Sequence, residues 1–299
     1  MIIPSGLSAF PVTPLHDNGE VDTAAYRQLV ARLAEAQVDS IGALGSTGTY
    51  MFLSRETRRR ALEIAIEAAG TVPVVAGIGA LRTDDAVRHA QDARAIGARA
   101  GLLAPVSYTP LTEDEVFEHF RTVAQESGLP IVIYDNFATT HFRFSPELVQ
   151  RLAQVPGIVG IKNPSGEKDE TLRHLAAQRA GVPSNFSIGY SGDWNATEPL
   201  IGGADVWYSV LAGLFPKVCL RITRAAQAGD ETPARAVNTA LEPLWKVFRA
   251  YSSLRVVYTL VEALGICKAT PPRPILPLTA TQRAEVVAVV AGLADDLKA

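Results

Sequence analysis

The sequence predicts a (β/α)8 barrel followed by a helical C-terminal region. Short apolar runs recur along the chain as far as Leu211, segments with the apolar period of a helix separate most of them, and strand-like runs then cease. A doubly wound parallel sheet would usually contain fewer strands. We therefore expect the barrel and its site at residues 1–213, and a helical region packed on the barrel at 214–299.

Eight apolar runs carry the strand prediction. They are continuous rather than alternating, which is typical of parallel strands that helices cover on one face. The runs are LSAFPVT from Leu7, DSIGALGS from Asp39, PVVAGIG from Pro73, AGLLAPV from Ala100, PIVIYDN from Pro130, IVGIKN from Ile158, FSIGYSG from Phe186 and DVWYSVL from Asp205.

The segments between the runs are predicted to be helices. Several begin with a capping residue: Ser54, Thr112 with Glu115 three positions later, and Ser145 followed by Pro146. The predicted helices are 23–36, 54–69, 83–96, 112–125, 145–153 and 169–180.

Beyond the last strand, four more segments are predicted to be helices, at 215–228, 232–248, 254–264 and 279–297. The proline-rich stretch ATPPRPILPLT separates the final one from the others. No linker rich in Gly and Ser divides the chain, so the helical region is expected to be an appendage of the barrel.

Composition excludes several classes of protein. With 28 Lys and Arg against 31 Asp and Glu, the net charge of -3 offers no attraction to nucleic acids or anionic membranes. Cys219 and Cys267 lie in apolar surroundings and are expected to be reduced core residues. The N-terminus lacks a signal-peptide pattern and no run is long enough for a membrane span. We expect a cytoplasmic protein that binds neither nucleic acids nor membranes.

Motifs for metals and nucleotide cofactors are absent from the sequence. The five histidines form no HExxH motif or close pair, and neither cysteine has a partner at zinc spacing. The AGIGAL segment does not complete a dinucleotide-binding GxGxxG pattern. We expect no bound metal and no separate cofactor.

The ends of the predicted strands carry the chemistry, since the active site of such a barrel lies at the C-terminal ends of its strands. The run IVGIK ends in Lys162 and the run PIVIY ends in Tyr134. Burial disfavours a charged ammonium and so makes the neutral amine available for a Schiff base with a carbonyl substrate. The alternative is a lysine that extends to solvent or pairs with a carboxylate. Tyr134 is a candidate proton donor and acceptor, or else a core aromatic residue.

The GSTG segment, residues 45–48, lies between a predicted strand and a predicted helix. Ser46 and Thr47 place two hydroxyls at the same end of the barrel, and the backbone N–H groups up to Gly48 are candidates to bind a carboxylate or phosphate. A simple tight turn is the alternative. No Lys-Ser or Lys-Thr pair follows, which excludes a nucleotide-binding P-loop.

Eight ordered motifs together resemble the class I pyruvate-dependent aldolases, the dihydrodipicolinate synthase and N-acetylneuraminate lyase family. They are AFPVTPL, GSTGTY, PVVAGIGA, GLLAPVSYTP, LPIVIYDNF, GIVGIKNPSG, SIGYSGDW and GGADVWYSV. The resemblance implies a (β/α)8 barrel with C-terminal helices, usually assembled as a homotetramer. It also implies that Lys162 forms the Schiff base, Tyr134 is the catalytic tyrosine, Ser46 and Thr47 bind the pyruvate carboxylate, and Tyr208 presents a backbone carbonyl to pyruvate.

The sequence departs from the family pattern in three segments. Thr139 stands where dihydrodipicolinate synthases carry an arginine that binds the aldehyde's carboxylate, and a hydroxyl cannot replace that bidentate charged contact. Val106 and Ser107 replace the paired tyrosines after the fourth strand, which leaves Tyr108 as the candidate for the residue that reaches a neighbouring subunit. Thr49 replaces a glutamate.

The predicted lining of Thr139, Asp193 and neighbouring hydroxyls favours hydroxyl-bearing substrates. Asp193 is the candidate polar contact with substrate, with a helix cap as the alternative. We expect a Schiff-base lyase or aldolase that acts on a 2-oxo-3-deoxy sugar acid, with pyruvate as product or donor. The alternatives are 4-hydroxy-tetrahydrodipicolinate synthase, which joins pyruvate and aspartate semialdehyde, a 2-oxo-3-deoxy sugar acid dehydratase, and a catalytically silent relative that binds an oxo acid.

Overall fold

Eight parallel strands close into a barrel in the computed structural model, which describes residues 4–298. Each strand pairs with the next along the chain, and the last pairs with the first. All eight predicted strands are confirmed. They are β1 Gly6–Ala9, β2 Ser40–Ala43, β3 Val74–Gly77, β4 Ala100–Leu103, β5 Ile131–Tyr134, β6 Ile158–Pro164, β7 Ser187–Ser191 and β8 Val206–Ser209.

Alternation along the strands divides the buried residues into two cores. In β5, Ile131 and Ile133 belong to the outer core between the sheet and the helices, whereas Val132 and Tyr134 belong to the inner core within the barrel. Successive side chains of a strand point to opposite faces, so every second residue faces the barrel interior. This alternation directs the last residue of β5 inward.

The predicted helices and their caps are largely confirmed. Ser54 accepts a hydrogen bond from the backbone of Thr57, and Thr112 forms a reciprocal capping box with Glu115. The helices are α1 Thr23–Glu35, α2 Arg55–Ala69, α3 Thr83–Ile96, α4 Glu113–Ser127, α5 Phe137–Thr140, α6 Pro146–Ala153, α7 Lys168–Gly181, α8 Thr197–Ile201, α9 Pro216–Gln227, α10 Glu231–Ala240, α11 Glu242–Tyr251, α12 Ser253–Ala263 and α13 Ala280–Ala291.

Three details differ from the sequence-based expectation. The helix predicted at 232–248 is two helices, α10 and α11, because Pro243 lacks an N–H and occupies the first turn of a new helix. The short helices α5 and α8 were not predicted, since four or five residues are too few to show a helical period. The final helix ends at Ala291 rather than 297.

The C-terminal helices pack directly on the barrel. Helix α9 contacts β1 and α8, and Arg224 in α9 forms an ion pair with Asp39, which precedes β2. The division predicted between residues 213 and 214 stays a prediction. Among residues 4–298 no helix is long and apolar enough to cross a membrane. Both cysteines are free thiols, with Cys219 buried as expected and Cys267 only partly buried.

Candidate active site

A cavity of about 400 Å³ opens at the C-terminal ends of the strands. Strand ends form its inner part, while βα loops and the junction between α11 and α12 form its rim. Its lining residues are Phe10, Ser46, Thr47, Leu102, Tyr134, Asn136, Ala138, Thr139, Lys162, Pro164, Ser165, Ser191, Gly192, Asp193, Trp194, Tyr208, Val210, Ser252, Ser253 and Leu254.

Lys162 and Tyr134 meet at the inner end of this cavity. They are directly opposite each other in the parallel pairing of β5 with β6, so the register of the sheet itself sets them side by side. The Lys162 Nζ lies 3.7 Å from the centre of the Tyr134 ring, and each residue is only 6% exposed. The structure therefore favours the buried lysine over the solvent-extended alternative.

The Tyr134 hydroxyl is held by two neighbouring groups. Asn136 Nδ2 donates a hydrogen bond to it at 2.8 Å, and Ser46 Oγ lies 3.3 Å away. Burial raises the pKa of this phenol, but the Lys162 charge and the hydrogen bonds from Ser46 and Asn136 outweigh burial and leave the pKa below its ordinary value. The arrangement favours proton transfer by Tyr134 next to a primary amine.

Asn136 is a site residue that the sequence analysis missed. It follows Tyr134 by two positions, in the YDN segment, and its amide contacts the phenol directly. A single asparagine in a loop belongs to no repeating pattern in the sequence. Only its position, two residues after a tyrosine that ends a strand, could have marked Asn136 as a candidate.

The GSTG segment places Ser46 and Thr47 in the cavity wall, as the sequence predicts. Leu44 and Thr49, on either side of the segment, have left-handed backbone conformations with φ of 57° and 54°. Gly48 lies outside the lining, and a Cβ atom there would come within 3.0 Å of Thr13 Oγ1. Packing therefore explains this glycine, and its role in binding a carboxylate stays a prediction.

Tyr208 lies in the inner wall of the cavity, where it packs edge-to-face with Phe10 at 6.1 Å between ring centres. Its hydroxyl is buried and has no hydrogen-bond partner within the described residues. Burial raises the pKa of this phenol, which keeps it protonated. The predicted contact through its backbone carbonyl is untested.

Asp193 lies in the wall, but the protein itself uses its carboxylate. Oδ1 accepts hydrogen bonds from Trp207 Nε1 at 3.0 Å and from the Val210 backbone at 3.3 Å, and Oδ2 accepts one from the Leu211 backbone at 2.7 Å. Burial raises the pKa of this carboxyl to about 6 despite these donors. Asp193 therefore fastens the loop after β7 to the turn after β8, and a direct contact with substrate stays a prediction.

The structure separates the two remaining predicted site residues. Thr139, in α5, lies at the rim and donates a hydrogen bond to the backbone carbonyl of Asn136 at 3.2 Å. Tyr108 is 96% exposed and does not line this cavity. Lys162 supplies the only basic side chain of the lining within residues 4–298.

Four further serines line the cavity although the sequence analysis did not select them, namely Ser165, Ser191, Ser252 and Ser253. The first two follow β6 and end β7, within motifs of the resemblance, so their position after a strand was a usable signal. Ser252 and Ser253 precede a C-terminal helix, and nothing local in the sequence links them to the barrel.

Comparison with known proteins agrees with this architecture. The chain matches the model of the dihydrodipicolinate synthetase family over residues 3–292. It is 38% identical over 234 residues to 4-hydroxy-tetrahydrodipicolinate synthase of Methylococcus capsulatus, which covers 78% of this chain and 79% of that protein. A dihydrodipicolinate synthase from Agrobacterium tumefaciens has a similar crystal structure, with a TM-score of 0.94 and 49% identity over 97% of this chain and 98% of that one.

A further solved structure carries a small molecule. The chloride-inhibited dihydrodipicolinate synthase of Acinetobacter baumannii, solved in complex with pyruvate, has a TM-score of 0.88 and 28% identity over 97% of this chain and 99% of its own. The family model spans nearly the whole chain, and the two solved structures share its fold over 97% of its length. The chain therefore belongs to the dihydrodipicolinate synthetase family, whose members are class I pyruvate-dependent aldolases and lyases that form a Schiff base on a lysine.

Proposed function

We propose that this chain makes or breaks a carbon–carbon bond through a Schiff base between Lys162 and pyruvate. The observation that carries the proposal is the position of the Lys162 amine, 3.7 Å from the Tyr134 ring centre at the buried end of a cavity. The pyruvate complex of the relative from A. baumannii supports the choice of oxo acid. Because the lysine itself activates the carbonyl, the proposed reaction needs no separate cofactor.

In the proposed mechanism, the neutral amine of Lys162 attacks the C2 carbonyl carbon of pyruvate. Tyr134 gives a proton to the resulting carbinolamine hydroxyl, which leaves as water and forms the iminium ion. The Tyr134 phenolate then accepts a C3 proton, which yields an enamine. The enamine carbon attacks the aldehyde carbon while Tyr134 returns the proton to the new alkoxide, and water hydrolyses the resulting iminium ion to free the lysine. Ser46 and Thr47 are the proposed partners of the pyruvate carboxylate, since their hydroxyls line the same inner end.

One candidate for the second substrate is aspartate semialdehyde, which would make the chain a 4-hydroxy-tetrahydrodipicolinate synthase. The name of the M. capsulatus relative supports this candidate. The lining offers its carboxylate no guanidinium, however, because Thr139 occupies the rim and Lys162 is the only basic side chain of the cavity within the described chain.

The second candidate is a 2-oxo-3-deoxy sugar acid, cleaved to pyruvate and an aldehyde or dehydrated. The hydroxyl-rich lining supports it, because it includes Thr139, Ser165, Ser191, Ser252 and Ser253. The first three donate to backbone carbonyls, and their oxygens remain able to accept hydrogen bonds. Hydroxyls both donate and accept hydrogen bonds, so they can bind a polyol chain without a charged contact.

Borohydride trapping tests the Schiff base. Treating the protein with pyruvate and borohydride is expected to add one reduced pyruvyl group, located on Lys162 by peptide mass spectrometry. The adduct is expected to be absent from Lys162→Ala and present in Lys168→Ala, a matched change at an exposed lysine paired with Glu198. A wild-type protein without the adduct, or an adduct that persists in Lys162→Ala, would contradict the proposal.

Kinetics separates the two second substrates. Condensation of pyruvate with aspartate semialdehyde is compared with pyruvate release, and with water loss, from a panel of 2-oxo-3-deoxy sugar acids. The substrate with the higher kcat/KM identifies the reaction. An adduct with pyruvate but no turnover of either class would instead indicate a catalytically silent relative.

A further inference from the structure

The junction between α11 and α12 forms part of the cavity rim. Ser252, Ser253 and Leu254 line the same cavity as Lys162, although more than forty residues separate them from β8. They are the only lining residues that come from the helices after residue 213 in the described chain. The C-terminal helices therefore contribute directly to the space in which the second substrate must lie.

Ser252 has an unusual backbone conformation. Its φ of 71° and ψ of 129° lie where residues with a Cβ atom are rarely found. Its neighbours are anchored to other elements: the Tyr251 hydroxyl donates to Glu285 Oε2 at 2.5 Å, and Arg255 Nε donates to the Leu276 carbonyl at 3.3 Å. Such conformations persist only where the surroundings enforce them, and they occur preferentially at functional sites.

The Ser252 side chain does not cap the helix that follows it. A serine immediately before a helix commonly accepts a hydrogen bond from the first turn. Ser252 precedes α12 but makes no such side-chain bond. The Ser252 hydroxyl is therefore available to a molecule in the cavity, and Ser253 lines the same cavity.

We propose that Ser252 and Ser253 bind the distal part of the second substrate and select an uncharged, hydroxyl-bearing chain. This inference rests on the proposed Schiff-base reaction. Lys162, the only cation of the described lining, is bonded to pyruvate as the iminium ion, whose charge lies next to the pyruvate carboxylate, so a second carboxylate would lie without a charged partner of its own. A polyol chain, in contrast, can exchange hydrogen bonds with both serines.

Three substitutions test this role. Ser253→Ala and Ser252→Gly each remove one hydroxyl, and each is expected to raise the KM for the hydroxylated substrate about three- to tenfold, with kcat and the pyruvate adduct unchanged. Glycine tolerates a positive φ, so Ser252→Gly is expected to keep or raise the melting temperature while KM rises. Ser184→Ala, at an exposed serine outside the cavity lining, is the control.

Introducing a positive charge at the rim tests whether the site can be changed to favour a substrate with a second carboxylate. Ser253→Arg supplies a guanidinium at the rim and is expected to raise kcat/KM for aspartate semialdehyde relative to the hydroxylated substrate. An unchanged KM in both Ser253→Ala and Ser252→Gly, in proteins that still form the pyruvate adduct, would overturn this inference alone. Absence of the adduct from the wild-type protein would instead overturn the proposed function.

Discussion

The inner end of the cavity and its rim are built by different physical means. At the inner end, the pairing of β5 with β6 sets Lys162 beside Tyr134, and both side chains are almost fully buried. At the rim, Thr139 belongs to a four-residue helix and Ser252 to a strained helix junction, and both are exposed. Sheet register thus positions the groups of the proposed chemistry, whereas loops and helix packing shape the rim at which we propose the second substrate binds.

Tyr134→Phe tests the inner end most severely. Removing the phenolic hydroxyl is expected to lower kcat about 10²- to 10⁴-fold, because this hydroxyl is the proposed proton donor and acceptor during Schiff-base formation and bond cleavage. Stopped-flow and steady-state kinetics measure the change. The control is Tyr190→Phe, which removes a hydroxyl that contacts His174 instead of lining the cavity. A loss below fivefold in Tyr134→Phe would place the proton transfer elsewhere.

Asp193 fastens the loop after β7 to the turn after β8, and its pKa predicts a pH dependence of stability. Burial raises the pKa of Asp193 from 3.8 in the unfolded chain to about 6 in the folded protein, so the folded state binds more protons between these values. The contribution of Asp193 to the free energy of unfolding therefore falls as pH rises from about 4 to about 6, by at most about 3 kcal/mol.

Asp193→Asn removes that titration. The free energy of unfolding of the variant, measured by urea titration between pH 4 and 7, is expected to improve relative to wild type as pH rises through this window. A difference between the two proteins that is constant with pH would show that Asp193 does not titrate there.

Asn136→Ala is expected to have a smaller effect on the inner end than Tyr134→Phe. The Asn136 amide helps to hold the pKa of Tyr134 below its ordinary value, so its removal is expected to shift the alkaline limb of the kcat profile to higher pH. We expect kcat at neutral pH to fall about tenfold, the cost of one hydrogen bond to the reacting group. A pH profile identical to that of wild type would argue that Asn136 only shapes the loop.

Thr139→Val is expected to have the smallest effect. The substitution preserves shape at the rim and removes one hydroxyl, so KM for the second substrate is expected to rise about threefold while kcat is unchanged. If Thr139→Val lowered kcat as far as Tyr134→Phe does, the proposal that the inner end carries out the reaction and the rim only binds the second substrate would be wrong. Matched assays with pyruvate held at saturation make the comparison direct.

Local patterns predicted most of the fold and the inner end of the site. Eight apolar runs became eight strands. Tyr134 ends β5, Ser46 and Thr47 follow β2, and Lys162 lies two residues before the end of β6, which extends further than its apolar run, to Pro164. Three features without a repeating hydrophobic pattern were not predicted. They are the short helix α5, the break between helices at Pro243 and the contact of Asn136 with Tyr134. These features depend on single residues and on side-chain direction rather than on a repeated pattern.

The sequence by itself determined the barrel and the groups near its strand ends that we propose to react, because hydrophobic periodicity and strand termini are local properties of the chain. Only the tertiary structure decided that Ser252 and Ser253 reach the cavity, that Asp193 bonds to Trp207 and the turn after β8, and that Tyr108 lies outside the lining. These features depend on which loops and helices meet at the mouth of the closed barrel, and that is not a local property of the chain.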